Sequence, residues 1–455
     1  MTLPREPYEL KGRRVLVVGL ARTGVAVAAF CAGRRALVTV TDRKPAAALA
    51  AEVAELRGRA RLELGGHSRE TFLQQDLIVL SPGVPEIPEV VAARAAGIAV
   101  TGEIELAARF VRAPLVGVTG TNGKSTVTSL AGAILAATGR PTFAGGNLGD
   151  PLIEVVEQPA AGPDGHLVVE LSSFQLETCE GLRPQVAALL NVTPDHLDRY
   201  PSMDAYVAAK GRIFQAQTPA DFAVVNADDP LAWELGGRGR AQRLGFSSTR
   251  PLDRGGWVDG AELCLRLPAG ELERYPTGEL HIVGRHNLEN ALAAFLCARL
   301  RGAAPEVVRA AAREFRPLPH RMELVREVDG VAYYDDSKGT NVGAVAAALE
   351  GFPRRVVLIA GGRDKGGDYA PLRRALTGCA RAVVLIGEAA ARMAAALDGV
   401  AEIRRAGTLE EAVATARRLA QGGDAVVLSP ACSSFDMFRD YAHRAAVFRA
   451  AVMGL

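Results

Sequence analysis

Leu115 to Thr126 reads LVGVTGTNGKST. A short apolar run ends in a glycine-bracketed polar turn, and a helix-forming stretch, VTSLAGAILAA, follows it. That is the strand–turn–helix unit of a parallel α/β sheet. Glycines let the backbone turn so that its N–H groups face a polyphosphate, and the start of the following helix adds partial positive charge. In this reading Gly120, Thr121, Asn122, Gly123, Lys124, Ser125 and Thr126 cradle a nucleotide. Lys124 reaches the β- and γ-phosphates, and the Ser125 hydroxyl ligates Mg²⁺. Val118 stands where the strict phosphate-loop pattern has its first glycine, although Gly117 and Gly120 flank it. The blander alternative is an ordinary glycine-rich turn. The Lys-Ser pair between a strand and a helix favours the nucleotide.

The same rhythm recurs on both sides. Upstream, VLVVG at Val15–Gly19 is followed by LARTG and a helical run, LVTVTD ends at Asp42, and LIVL leads into a Ser-Pro-Gly turn at Ser81–Gly83. Downstream, LVVE ends at Glu170, VAALLN at Asn191 and FAVVN at Asn226. Beyond Pro319 come VVLIAGG, AVVLIG and AVVLSP. The expected fold class is therefore α/β in three domains: an N-terminal Rossmann-like domain over 1–102, a central P-loop ATPase-like parallel sheet over 103–318, and a C-terminal Rossmann-like domain over 319–455. A Gly- and Arg-rich stretch near 236–280 lacks a clear period and reads as a small β excursion. FRPLPHR, with two prolines behind a helical pattern, reads as a hinge.

Open α/β sheets put their sites at the carboxyl ends of strands. Glu170 ends such a strand. A buried carboxylate there needs a cation, so beside the phosphate loop it reads as a metal ligand, although by itself it is equally a strand-end acid or a cap. His196 lies one loop past VAALLN, among Asp195 and Asp198. Lys210 follows with Tyr206 and Phe214 one turn to either side. An apolar setting of that kind depresses a lysine's pKa, whereas a snorkelling surface lysine has the same spacing. Asn287 and Asn290 share one helix face; they suit an adenine edge or a ribose, or equally a cap and a solvated residue.

The 455 residues carry 53 Lys+Arg against 51 Asp+Glu, a formal net charge of +2, so no strong field favours nucleic acid or an acidic membrane. The six cysteines are scattered, with no C-x-x-C pair, which argues against a zinc site or a disulfide framework. No apolar run approaches bilayer length, and MTLPREPYELKGRR lacks the apolar core of a signal peptide. A cytoplasmic monomer with no nucleic-acid partner is the expectation.

Taken together, TGTNGKST (119–126), ELSSFQLE (170–177), NVTPDHLDRY (191–200), AAKGRIF (208–214), GRHNLENALAA (284–294), LPHRMELV (318–325) and DDSKGTN (335–341) resemble the Mur ligase superfamily and its relatives, the folyl-polyglutamate synthetases. DDSKGTN and LSPACSSFDMF are similar to the branch that adds D-glutamate; the His-containing motif of other branches is missing after that aspartate.

The resemblance implies an ATP-dependent amide-bond-forming ligase. A carboxylate of UDP-N-acetylmuramoyl-L-alanine takes the γ-phosphoryl group of ATP, and the amine of D-glutamate displaces phosphate. It implies that Lys124 stabilises the migrating phosphoryl group, that Ser125 and Glu170 bind one Mg²⁺ and His196 a second, and that Lys210 is carbamylated by CO₂ and becomes a metal ligand. Asn287, Asn290, Arg321 and Asp336 match adenosine and phosphate contacts. Lys338, Thr340, Lys365, Ser434 and Tyr441 match the region that receives D-glutamate, with Tyr441 where the family often has Phe. Thr23, Asp42, Arg43, Ser81 and Asn147 are the expected UDP-sugar contacts. GLARTG has Ala21 in the middle slot of a dinucleotide fingerprint; with Asp42 downstream, an NAD-binding oxidoreductase is an alternative, as are a folyl-polyglutamate synthetase-like ligase and a non-catalytic nucleotide-binding regulator.

Overall fold

The computed structural model describes residues 9–455 apart from Asp198, Ala269, Val283, Pro317 and Gly351. Asp198, and Pro317 of the expected hinge, therefore lie outside the described residues.

Three sheets follow one another along the chain. The first contains β1 (Arg14–Val18), β2 (Leu37–Asp42), β3 (Arg61–Leu64), β4 (Leu77–Leu80) and β5 (Ala99–Gly102), ordered β3-β2-β1-β4-β5. All its pairings are parallel. The second contains β6 (Leu115–Thr119), β7 (Thr142–Gly146), β8 (His166–Glu170), β9 (Val186–Leu189), β10 (Phe222–Asn226), β11 (Gln242–Ser247), β12 (Gly255–Asp259), β13 (Glu262–Arg266) and β14 (Leu272–Pro276). Its order is β14-β13-β12-β11-β10-β9-β6-β8-β7. The third contains β15 (Glu323–Val328), β16 (Val331–Asp335), β17 (Val356–Gly361), β18 (Ala380–Ile386), β19 (Glu402–Arg405) and β20 (Ala425–Leu428), ordered β15-β16-β20-β17-β18-β19.

The apolar runs become the inner strands. Every residue of β6, β8 and β9 is buried, as is every residue of β17 and β20. Parallel strands covered by helices on both faces need such continuous apolarity rather than alternation. The aperiodic 236–280 stretch extends the central sheet: β11 and β12 pair in parallel, then β13 and β14 add antiparallel. Its period is broken where Gly245 and Gly255 lie opposite each other; a Cβ on Gly255 would stand 1.9 Å from the Gly245 carbonyl oxygen.

The first and second sheets share one continuous apolar cluster, running from Val15 and Val17 through Ile104 and Leu106 to Leu152 and Leu167. The helix Glu103–Ala108 is the joint. Its two buried carboxylates, absent from the sequence reading, grip the central domain: Glu103 accepts from the Ile153 N–H at 2.7 Å, and Glu105 from the Leu182 N–H at 2.9 Å. Burial pushes the Glu103 carboxyl up to about 7. All six cysteines are unpaired. Among the described residues no helix is long and apolar enough to cross a membrane.

Candidate active site

In the second sheet β6 lies between β8 and β9, so the chain's connections diverge on either side of it and leave a crevice at its carboxyl end. The register sets what meets there: Val118 pairs with Glu170, and Thr119 with Leu189. The phosphate-loop turn, the Glu170 carboxylate and the loop after β9 are thereby neighbours. The turn closes onto that loop through Asn191, whose carbonyl accepts from the Thr121 N–H at 2.9 Å and whose side chain accepts from the Asn122 N–H at 2.8 Å. Gly123 caps the helix Lys124–Ala136 with φ +85°. A Cβ there would lie 2.2 Å from Asn290 Oδ1.

Lys124 donates to the carbonyls of Gly120 and Thr121 at 3.0 and 2.8 Å. Lys210, 1 % exposed, donates to the same Gly120 oxygen at 2.7 Å. Two ammonium groups on one carbonyl repel. Burial, with Lys124 adding to it, holds Lys210 well below the usual lysine range. Burial also lowers Lys124, against the pull of Glu170 and Asp195. Lys210 Nζ lies 4.6 Å from the Tyr206 ring centroid, and the Tyr206 hydroxyl meets Thr121 Oγ1 at 3.1 Å.

Glu170 is 2 % exposed. One carboxylate oxygen accepts from Asn147 Nδ2 at 2.8 Å; the other, Oε2, is buried without a hydrogen-bond partner. Asn147, expected with the UDP-sugar contacts, is thus joined directly to the candidate metal ligand. His196 has a left-handed backbone (φ 55°), and its ring packs 4.9 Å from that of Phe174.

A cavity of about 240 Å³ opens beside the phosphate loop, lined among others by Asn122, Gly123, Thr126, Asn287, Asn290, Arg321 and Asp336. Asn290 Nδ2 donates to Asn287 Oδ1 at 3.1 Å, so the two amides do share a face. Phe246, which no local motif marked, and His286, inside GRHNLENALAA but given no role there, also line it. Arg321 reaches Ser125 Oγ at 3.4 Å, while its Nε is buried without a partner. Burial pushes the Asp336 carboxyl up to about 7, against the Ser429 hydroxyl that donates to it at 2.5 Å.

The C-terminal domain closes the crevice. Asn341 Nδ2 donates to Asn122 Oδ1 at 2.9 Å, and Lys365 Nζ to Asp195 Oδ1 at 3.0 Å. Burial, with Arg321 beside it, lowers Lys338 to about 8; its Nζ lies 5.2 Å from the Tyr441 ring centroid. The Lys338–Thr340 turn is held by buried Arg444, which donates to the Ser337 carbonyl at 2.7 Å. Thr340 N–H bonds back to the Lys338 carbonyl at 2.9 Å. Ser434 is buried, and its carbonyl accepts from the Phe438 N–H at 2.8 Å. His320, Glu323 and Asp335 converge closely enough for a metal, but Arg449 already fills that role, bonding Glu323 at 2.5 Å and Asp335 at 3.0 Å.

In the first sheet the corresponding crevice lies between β1 and β4. Ser81 Oγ donates there to the Gly19 carbonyl at 2.9 Å. Both Asp42 oxygens are taken by backbone N–H groups, of Leu20 at 2.7 Å and Lys44 at 2.8 Å, so this acid braces the β1 turn rather than waiting for a ribose. Thr23 lies in the first turn of the helix Arg22–Gly33, and Arg43 is exposed at the end of β2. Arg199, inside NVTPDHLDRY but given no role there, ties the two domains: it donates to the Gly83 carbonyl at 3.2 Å and to Glu177 at 3.1 Å.

Three family models match in order: the Mur ligase MurD-like N-terminal domain over residues 13–102, the Mur ligase middle domain over 118–298, and the Mur ligase glutamate ligase domain over 320–432. A UDP-N-acetylmuramoylalanine--D-glutamate ligase from Geotalea daltonii is 51% identical over 450 residues, 98% of each chain. The chain belongs to the Mur ligase family. Enzymes of the same name from Pelobacter propionicus (52% identical, 98% of this chain and 100% of that one) and Acidobacterium capsulatum (46%, 98% and 97%) extend the likeness. This Mur ligase also shares its fold with a pseudomurein peptide ligase type C from Methanothermus fervidus, at TM-score 0.61 and 19% identity over 97% of this chain and 100% of that one. It shares it equally with a MurF ligase from Thermotoga maritima in complex with ADP, at TM-score 0.61 and 17% identity over 98% and 99%.

Proposed function

We propose that this Mur ligase joins D-glutamate to UDP-N-acetylmuramoyl-L-alanine at the expense of ATP, supplying a peptidoglycan precursor in the cytoplasm as a monomer. The observation that carries the reading is the convergence at the end of β6. Lys124, the buried Lys210 and the half-satisfied Glu170 share one crevice, and Lys338 and Lys365 face it from the third domain. We assign the domains to 1–102, 103–318 and 319–455.

ATP fits the cavity beside Asn287 and Asn290, with its phosphates on the 120–126 amides, Lys124 and the unpartnered Arg321 Nε. The orphaned Glu170 Oε2 is the kind of buried donor that a divalent cation satisfies. Ser125 and Glu170 would hold one Mg²⁺ and His196 a second. Lys210 would join them as a carbamate, because a neutral buried amine adds CO₂ where an ammonium does not. Bound there, Mg²⁺ would neutralise phosphate charge.

The residues then act in sequence. Lys124 leaves its backbone carbonyls for the γ-phosphoryl group as a substrate carboxylate oxygen attacks phosphorus and ADP departs. The product is an acyl phosphate, in which the former carboxylate oxygen has become a leaving group. Lys338 and Lys365, with Thr340, Ser434 and Tyr441 around them, place the two carboxylates of the amino acid. Its amine adds to the acyl carbon, loses its proton and expels inorganic phosphate. Thr23, Arg43, Ser81 and Asn147 orient the UDP-sugar, and Asp42 does so by bracing the loop between β1 and the helix Arg22–Gly33.

Phosphate release from ATP, measured against a panel of UDP-muramoyl acceptors and amino acids, tests the assignment. Release is expected only with UDP-N-acetylmuramoyl-L-alanine and D-glutamate together. Equal turnover with a folate acceptor, or a nicotinamide absorbance change without ATP, would replace it.

A further inference from the structure

The loop after β9 joins the third domain through Asp195. Lys365 Nζ donates to Asp195 Oδ1 at 3.0 Å, with the two side chains 20% and 8% exposed. The pair is asymmetric. Asp195 has other partners: the His196 N–H at 3.0 Å, Asn341 Nδ2 at 3.4 Å and His196 Nε2 at 3.5 Å. Among the described residues, Asp195 is the one hydrogen-bonding partner of Lys365. Asp195 therefore survives the loss of Lys365, whereas Lys365, largely withdrawn from water, leaves Asp195 only for another anion. A cavity of about 350 Å³ opens beside the pair, bounded by Thr193, Asn341, Tyr369 and Pro371. The Thr193 hydroxyl on its wall is buried without a partner.

We propose that Asp195 is an exchangeable counter-ion of the amino-acid site. It holds Lys365 until an amino acid arrives, yields it to an incoming carboxylate, and turns its own charge to the incoming α-ammonium. One ion pair is exchanged for two, and no charge is left bare. The exchange rests on the functional reading above and adds a positioning residue to it. It also sets selectivity: a diacid without an amine competes with Asp195 for Lys365 and offers nothing in return.

Calorimetry on the full chain with ADP tests this, using D-glutamate and its deaminated analogue glutarate. Asp195→Asn keeps the acceptor for the His196 N–H and removes the charge. It should bind glutarate about tenfold more tightly than wild type, while D-glutamate gains less or weakens because its ammonium has lost a partner. Asp195→Glu, which keeps the charge, should bind glutarate as wild type does. Glutarate affinity unchanged or weakened in Asp195→Asn, or an equal gain for both ligands, overturns the exchange while leaving the ligase assignment standing. A wild-type chain that binds neither ligand overturns both. A crystal structure of wild type with glutarate gives a second reading that needs no substitution. Lys365 should lie on the diacid with Asp195 turned to Asn341; Asp195 still on Lys365 contradicts the proposal.

Discussion

Lys210 is buried and Lys338 half-buried, and their surroundings set them to different tasks. Lys210 lies against the Tyr206 ring and shares a carbonyl with Lys124; burial first, and Lys124 after it, lower its pKa and favour the nucleophilic amine. Lys210→Ala should lower kcat by about 10²–10³-fold, as expected for a lost electrostatic partner at the reacting phosphoryl group. A short-chain carboxylic acid should partly restore it; full activity without Lys210 would remove the carbamate from the account. Lys338, lowered only to about 8, keeps its charge at neutral pH. The cation is present below that value and lost above it. In the free enzyme kcat/KM for D-glutamate should therefore fall as pH rises through about 8, and Lys338→Arg should flatten that fall. A profile unchanged by Lys338→Arg would assign the titration elsewhere. Local sequence made Lys124 and Glu170 legible because each lies at or just past a strand end, and Lys210 because apolar groups lie one helical turn to either side. The roles of Asp195, Arg199 and Phe246 were not, since their partners lie across domains or on distant strands.

At the scale of elements, the β6–β8 register delivers Glu170 to the phosphate loop, and the helix Glu103–Ala108 delivers the N-terminal sheet to the central one. The apolar runs announced the strands, because buried parallel strands need unbroken apolarity. They did not announce the joint: no local pattern singles out Glu103 and Glu105, and only the Ile153 and Leu182 N–H groups give them a purpose. The joint carries a pH signature. Glu103 has a folded value of about 7 against an ordinary 4.5, so the folded chain holds the extra proton between those values. Stability is then full below about 4.5 and declines as pH rises through about 7, by about 3 kcal/mol at most. Glu103→Gln keeps the acceptor for Ile153 and removes the ionisation. Its Tm should exceed that of wild type at pH 8 and match it at pH 4. An equal difference at both values would show that the carboxyl does not titrate in this range.

The whole molecule is three sheets brought to one crevice by polar contacts across their borders. Asn341 meets Asn122 and Lys365 meets Asp195 on one side, and Arg199 meets the Gly83 carbonyl on the other. The order of domains was legible from the thrice-repeated strand–turn–helix rhythm. The closure was not, because it depends on side chains more than a hundred residues apart. In the proposed reaction the acyl phosphate unites the domains, with a carboxylate delivered by the first, a phosphoryl group by the second and an amine by the third. Isotope transfer tests that step directly. With both carboxylate oxygens of UDP-N-acetylmuramoyl-L-alanine labelled as ¹⁸O, each turnover with ATP and D-glutamate should leave one ¹⁸O in the released phosphate and one in the new amide. Phosphate released without label, while amide forms at the same rate, would contradict it.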